Sequence, residues 1–334
     1  MKSVPLSIKS TALKKTLTVG VLGAGHLGKI HLRLLKESER YTLVGFYDPD
    51  EEASKALAKS AGYTYFESQE ALIAACDVID IVTPTLYHHA VAKACIEEGK
   101  HVFIEKPITH TIDEAEELVV LAKAKGVKGQ VGHVERFNPA FKAVKDNLGS
   151  PMFVESHRLA EFNPRGTDVS VVLDLMIHDI DIILSVIHSP VKHISGSGVA
   201  VVSETPDIAN ARIEFENGAV ANLTASRISL KNMRKLRFFQ KEAYISVNFF
   251  TKQVEVVKMK EANQDTKEFA LVLQNAEGVK KEIYFDPPEI QPSNAILEEL
   301  ETFADAIEND TTPIVPLAHA TEALRVAYHI IECF

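Results

Sequence analysis

Residues 17–28 read Leu17-Thr18-Val19-Gly20-Val21-Leu22-Gly23-Ala24-Gly25-His26-Leu27-Gly28. An apolar run ends on a Gly-x-Gly-x-x-Gly turn, and an amphipathic pattern over Leu27–Lys36 follows it. Such glycines say little alone; between a strand and a helix they have a physical task. Gly23 permits the tight turn, Gly25 lets the backbone approach a pyrophosphate, and Gly28 lets the helix lie close on the strand. His26 and Leu27 stand where the helix opens, so its free N–H groups and positive dipole end face the phosphates. Asp48 ends the next apolar run, Leu43–Tyr47, 20 residues after Gly28. A carboxylate there accepts hydrogen bonds from both adenosine ribose hydroxyls and repels a 2′-phosphate. No arginine follows in Asp48-Pro49-Asp50, so NAD is expected in preference to NADP. The competing reading is a glycine turn in some other α/β protein, with Asp48 as a helix cap.

Outward from this turn the same alternation continues. Apolar runs at Val78–Val82, Val102–Ile104 and Lys128–Val131, with a short one near Tyr65, interleave with helical patterns at Glu51–Ala61, Gln69–Ala75, His88–Glu98 and Asp113–Lys125. Buried strands alternating with amphipathic helices predict a parallel sheet with right-handed crossovers. The fold class expected is therefore α/β, with a doubly wound Rossmann domain over residues 17–134.

Beyond about residue 135 the pattern changes. A helix near Pro139–Asn147, a strand at Met152–His157 and a long apolar helix over Val171–Ile187 precede a series of strands. These are Val191–Ser203, Ala209–Glu216, Ala219–Ser226, Lys235–Gln240, Ala243–Phe249 and Gln253–Met259, with Asn217-Gly218 as a hairpin signal. Two helices, Ser293–Glu308 and Leu317–Cys333, close the chain. Strands in series joined by short turns predict a mostly antiparallel open sheet in an α+β domain, here residues 135–334. Residues 1–16 mix Lys, Ser and Thr, lack the apolar core of a signal peptide, and are expected to form a flexible arm.

Composition narrows the function. A chain of 334 residues suggests two domains at roughly 100–200 residues each. A formal net charge of −10 argues against nucleic acid as a partner. No uncharged apolar run reaches membrane-spanning length, and a cytoplasmic location is expected. The three cysteines, Cys76, Cys95 and Cys333, are widely spaced and suggest neither zinc nor any other metal site. Cys76 and Cys95 are expected to be reduced core thiols.

Catalytic candidates gather at strand ends. Glu105-Lys106-Pro107 follows Val102–Ile104, and residues just beyond the carboxyl ends of parallel strands face the cofactor crevice. A lysine there can polarise a hydroxyl or carbonyl oxygen, although a solvated strand terminus is the common alternative. Thr83-Pro84, with His88 beyond, follows Val78–Val82 and is expected to line the nicotinamide half of the same edge; a Pro turn capping a helix is the plain alternative. In the apolar helix Asp174, His178 and Asp181 fall at i, i+4 and i+7, on one face. Carboxylates buried in such a helix need partners, and an Asp one turn from a His can fix its tautomer or raise its basicity. A polar stripe facing solvent is the rival reading.

These residues resemble the Gfo/Idh/MocA oxidoreductase family. The likeness rests on Gly23–Gly28, Thr83-Pro84 with His88, Gly99-Lys100-His101-Val102 leading into Glu105-Lys106-Pro107, Gly132-His133-Val134-Glu135-Arg136-Phe137-Asn138-Pro139, and Asp174-x-x-x-His178-Asp179. The resemblance implies Lys106, Asp174 and His178 as the catalytic group and Gly23, Gly25, His26, Leu27, Gly28, Asp48, Thr83, Pro84, His88, Glu105 and Lys106 around NAD. It implies sugars, cyclitols or nucleotide sugars as substrates, and a homodimer or homotetramer built through the C-terminal sheet. Within the family the chain resembles the branch acting at C3 of UDP-N-acetylhexosamines, through Gly132–Pro139, Asp174–Ile182 and the run Met233–Gln240. Many relatives place a Gly before the following strand, where this chain has Glu242-Ala243-Tyr244.

The basic run Arg227–Lys241 carries six Lys or Arg residues and reads either as a solvated sheet face or as a contact for a diphosphate. Arg136, Arg158, Asn163 and Arg165 are the further substrate candidates. The expected chemistry is hydride transfer between a secondary alcohol and nicotinamide. His178 would take the proton, Lys106 would stabilise the alkoxide, and Asp174 would orient the pair. A simple sugar or inositol dehydrogenase is the first alternative, and a non-catalytic NAD-sensing regulator the second.

Overall fold

The computed structural model describes residues 16–163, 169–262, 271–274, 276 and 278–334; most of the expected N-terminal arm lies outside them. Five parallel strands form the first sheet: β1 (Leu17–Leu22), β2 (Tyr41–Tyr47), β3 (Val78–Ile81), β4 (His101–Glu105) and β5 (Gly129–Gly132). Their order is β2-β1-β3-β4-β5. The connecting helices are α1 (His26–Glu37), α2 (Glu51–Ala61), α3 (Gln69–Ala75), α4 (His88–Glu97) and α5 (Ile112–Lys125). Their ends follow from local chemistry. Gly62 and Gly126 close α2 and α5 in the left-handed conformation, and Thr111 with Glu114 forms a capping box at the start of α5.

Tyr65, expected in a strand of its own, makes only an isolated parallel bridge to Phe46. The run cannot extend, because Ser68 already accepts the Ala71 N–H as the cap of α3. With that bridge at its edge, the sheet has the strand order of a dinucleotide-binding domain, and the order reverses between β1 and β3. Ligands of such sheets bind in the crevice at that reversal.

The second sheet has nine strands. These are β6 (Phe153–Leu159), β7 (Val191–Val199), β8 (Ile208–Phe215), β9 (Val220–Ser226), β10 (Met233–Gln240), β11 (Ala243–Asn248), β12 (Gln253–Glu261), β13 (Leu271–Gln274) and β14 (Lys280–Phe285). They lie in the order β13-β14-β12-β11-β10-β6-β9-β8-β7, antiparallel throughout except where β6 meets β9. The expected strand to Ser203 stops at Val199. Asp207 accepts the N–H groups of Val201, Val202 and Ser203 at 2.7–3.0 Å and curls the chain out of the sheet. β13 and β14 were not anticipated: neither has a fully buried residue, so neither carries an apolar alternation.

The remaining helices are α6 (Pro139–Lys145), α7 (Ile177–Val186), α8 (Ala295–Glu308) and α9 (Leu317–Ile331). A single turn of π-helix, Val172–Met176, precedes α7. The last two helices, grouped by sequence with the second domain, return to the first. Leu300, Phe303 and Ala304 of α8 enter the core of Val19, Leu32, Leu35 and Phe103, and Pro316 bridges Gln130 of β5. Cys76 and Cys95 are buried free thiols, each pushed up to about 12 chiefly by burial, so they are inert at neutral pH. Among the described residues no helix is long and apolar enough to cross a membrane, and no group of three or more His, Cys, Asp or Glu could hold a metal.

Candidate active site

A groove of about 430 Å³ runs along the carboxyl ends of β1, β2, β3 and β4. Gly23, Gly25, His26, Leu27, Gly28, Asp48, Thr83, Pro84, His88, Glu105 and Lys106 all line it. The glycines meet a steric test. Gly23 has φ +100, and a Cβ there would lie 2.6 Å from the Val82 carbonyl oxygen; one on Gly28 would lie 2.1 Å from that of Gly23. A Cβ on Gly25 would meet nothing within 4 Å, so this position faces the space where a phosphate would approach the start of α1. Asp48 accepts the Ala24 N–H at 2.7 Å and the Asp50 N–H at 3.0 Å, which holds its carboxylate beside the turn. These residues fit a dinucleotide.

His88 reaches the groove wall, but its polar atoms do not turn into the groove. Its imidazole lies 2.9 Å from the Pro107 carbonyl oxygen and 2.8 Å from that of Thr83. Whichever nitrogen carries the proton donates, and the ring braces the end of β3 against the Lys106–Pro107 peptide, which is cis. The geometry thus gives His88 a bracing role in the groove wall.

At the β4 end Lys106 Nζ donates to the Asp174 carbonyl oxygen at 2.8 Å and stands 3.5 Å from Asp174 Oδ1. Lys106 also lies near His178. Burial first, then the positive charges of Lys106, Arg158, His133 and Arg234, push the His178 pKa well below the ordinary histidine value. The imidazole is thus neutral and able to accept a proton. The structure brings the three expected residues together, with one correction. Asp174 is half-exposed and does not serve as the tautomer-fixing partner of His178, whose Nδ1 is buried without a hydrogen-bond partner among the described atoms. The π turn is the reason. The Ile177 N–H donates to the Val172 carbonyl oxygen, five residues back, so the α-helical spacing of Asp174 and His178 does not hold across it.

The buried carboxylates of this helix are its neighbours. Asp181 accepts Arg136 Nε and Nη2 at 2.5 and 2.9 Å and stands 3.9 Å from His133 Nδ1. His133 is fully buried, edge-on to His178 with centroids 6.4 Å apart, and burial holds its pKa low. Asp179 accepts Arg158 Nε and Nη2 at 2.9 and 2.6 Å and the Ser156 hydroxyl at 2.6 Å. Arg158 Nη1 also donates to Glu135 at 2.9 Å.

These pairs bear on the substrate assignments of two arginines. Arg158 is 2% exposed and saturated by carboxylates, so it is not free for a diphosphate, and Arg136 gives one edge of its fork, Nε and Nη2, to Asp181. Asn163 is exposed beyond β6, and Arg165 lies outside the described residues. Within the basic run, Arg237 pairs with Glu155 across the sheet at 2.8 Å, as the solvated-face reading expects. Arg234 differs. It pairs in register with Arg158 on the inward face, is half-exposed, and stands 3.6 Å from Glu135 while its charge bears on His178. Sequence reasoning did not separate it from the other basic residues, although its alternation with Leu236 and Phe238 carried the signal.

A larger cavity, about 950 Å³, lies elsewhere, between the end of α7, β7 and α9. Arg136 reaches it but Lys106, Asp174 and His178 do not; of these three, Lys106 lines the smaller groove.

Comparison with known proteins agrees with this geometry. Residues 17–133 match the NAD-binding Rossmann fold of the Gfo/Idh/MocA oxidoreductases, and residues 125–246 match the C-terminal domain of the same family. UDP-N-acetylglucosamine 3-dehydrogenase of Acidithiobacillus ferrooxidans is 37% identical over 238 residues, which are 71% of this chain and 75% of the relative. Its solved structure superimposes with a TM-score of 0.86 at 29% identity, covering 96% of this chain and 98% of that one. scyllo-Inositol 2-dehydrogenase (NAD(+)) of Bacillus subtilis is 26% identical over 94% of this chain and 93% of its own. A glycine turn at the switch point, a lysine at the end of β4 and a histidine on α7 stand together, and the chain belongs to the Gfo/Idh/MocA family of oxidoreductases.

Proposed function

We propose that this oxidoreductase is an NAD-dependent dehydrogenase of a secondary alcohol, with the C3 hydroxyl of a UDP-N-acetylhexosamine as its substrate. The observation that carries the reading is the approach of His178 to Lys106, whose side chain lines the groove at the β4 end. The bound cofactor would accept the hydride from the alcohol carbon. His178, neutral and partly exposed, takes the hydroxyl proton, so each turnover moves one hydride and one proton. Lys106 sets its charge against the oxygen as it becomes an alkoxide. The Asp174 backbone carbonyl fixes the ammonium in place. Arg234, half-exposed on the inward sheet face, is the cation best placed for a diphosphate, and the 37% identical relative named for UDP-N-acetylglucosamine supports that substrate class.

NADH formation with NAD and a panel of UDP-N-acetylhexosamines, free sugars and inositols tests this directly. Turnover on a UDP-sugar, inhibited by UDP, is expected. Turnover confined to free polyols would move the substrate to that of the inositol dehydrogenase relatives.

The pH profile checks the base. Protonation disables His178, and its surroundings oppose protonation, so the rate of alcohol oxidation should persist as pH falls through 6.5 and decline only at lower pH. An acidic limb at or above 6.5 that vanishes in no His178 variant would remove His178 from this role.

Asp48 sets the cofactor preference. Asp48→Ala should weaken NAD binding about tenfold or more, the cost of lost hydrogen bonds to a charged group, and narrow the gap between NAD and NADP. Titration of both cofactors measures it; an unchanged ratio would remove Asp48 from the ribose site.

A further inference from the structure

Beneath the groove floor lies a group of ionisable side chains that the proposed hydride and proton transfers do not use. His31 of α1 is completely buried. Its Nδ1 stands 2.8 Å from Asp80 Oδ2 on β3, and its Nε2 stands 3.3 Å from Glu105 Oε1 at the end of β4. Burial pulls the His31 pKa down, but the two carboxylates more than reverse this and hold it well above the ordinary value. An imidazolium therefore sits between two carboxylates. A fourth member, Glu299 of α8, is also buried and neither of its carboxyl oxygens has a partner. Burial, followed by the charge of Glu105, holds its pKa well above the ordinary range, so it is the neutral acid of the set.

His31 is thus the one cation facing the carboxyl groups of Asp80 and Glu105. The member that reaches the groove is Glu105, 9% exposed and part of its lining. Its neighbours hold its carboxylate on the inner side. Oε2 accepts the Lys106 N–H at 3.1 Å, and Oε1 lies against Gly132, where a Cβ would come within 2.8 Å of it. The strand order gives the groove a direction: Asp48 at the β2 end, the phosphate turn at β1, and Glu105 with Lys106 at the β4 end. Glu105 accordingly belongs to the nicotinamide end.

We propose that His31 and Asp80 are positioning residues that hold Glu105 as a fixed anion at this end of the groove, and that the anion favours the oxidised cofactor over the reduced one. The inference rests on the cofactor reading above. The physical basis is simple. The oxidised nicotinamide ring carries a positive charge and the reduced ring carries none, so a nearby fixed anion stabilises only the first. The imidazolium is required because it stands between two carboxylates that would otherwise repel each other, and so keeps Glu105 in place. Glu299, already protonated, is a spectator in this respect.

Calorimetric titration of NAD+ and NADH into the wild-type chain, Glu105→Gln, His31→Gln and Glu299→Gln tests it. In Glu105→Gln the ratio of the NAD+ to the NADH dissociation constant should rise about tenfold, as for the loss of one partly screened charge–charge interaction; in His31→Gln, where the carboxylate is no longer held, it should rise by less. Glu299→Gln should leave the ratio where it is in the wild type. If both cofactor forms weaken together and the ratio holds within about twofold, the cluster is only structural and the proposal fails. His31→Gln removes a buried partner and could fail to fold; Glu105→Gln keeps the shape and decides alone. A wild-type chain that binds neither form would overturn the cofactor reading itself, whereas binding with an invariant ratio overturns this inference alone.

Discussion

Replacing Lys106 by alanine is expected to lower kcat for alcohol oxidation by about 10²–10³-fold, the range found when a preorganised charge aimed at a developing oxyanion is removed. The side chain is 21% exposed and its ammonium is held by the Asp174 carbonyl, so it is fixed before the alcohol arrives. No reorganisation is then needed as negative charge appears on the substrate oxygen. The same substitution has a second readout, which a merely structural lysine would not give. Lys106 is the largest of the positive charges that, after burial, hold the His178 pKa down. Without it the imidazolium becomes easier to form, and the acidic limb of the rate profile should move to higher pH. Lys106→Met, which keeps the aliphatic stem, should show both effects. A variant that loses activity with an unmoved limb would leave Lys106 as a substrate contact and separate it from His178.

How much of this was readable in the chain depends on whether a residue's surroundings are local. The turn at Gly23–Gly28 needs only the strand before it and the helix after it, and the groove lining follows from strand ends. Asp174 shows the opposite case. Its spacing from His178 assumes an unbroken α-helix, and nothing in Val171–Ile187 signals the π turn that re-phases the two side chains. β13 and β14 escaped notice because edge strands without a buried face have no pattern to read. Of the buried group, His31, Asp80 and Glu105 meet only when α1 packs on β3 and β4, and Glu299 joins them only when α8 returns to the first sheet. Arg158 is different again, because its signal was present. Val154, Ser156 and Arg158 are the alternate residues of β6 that turn inward, and the expected strand Met152–His157 stops one residue short of Arg158.

Arg158→Met should therefore show its effect in stability. The guanidinium joins Asp179, at 2.6 and 2.9 Å, to Glu135, at 2.9 Å, and all three side chains are nearly inaccessible. Removing the cation leaves buried Asp179 without a counter-charge and Glu135 with only the half-exposed Arg234 at 3.6 Å, a loss expected to destabilise the fold by about 3–5 kcal/mol. Chemical denaturation followed by circular dichroism measures it. The double variant Arg158→Met with Asp179→Asn should recover part of the loss, because one of the stranded charges is gone and the Ser156 hydroxyl can still bond the amide. The two roles separate cleanly. An arginine that bound the diphosphate would, when replaced, raise KM and leave the denaturation midpoint unmoved. An arginine that holds β6 to α7 and to Glu135 lowers the midpoint, and changes kcat only by letting α7, and His178 upon it, shift.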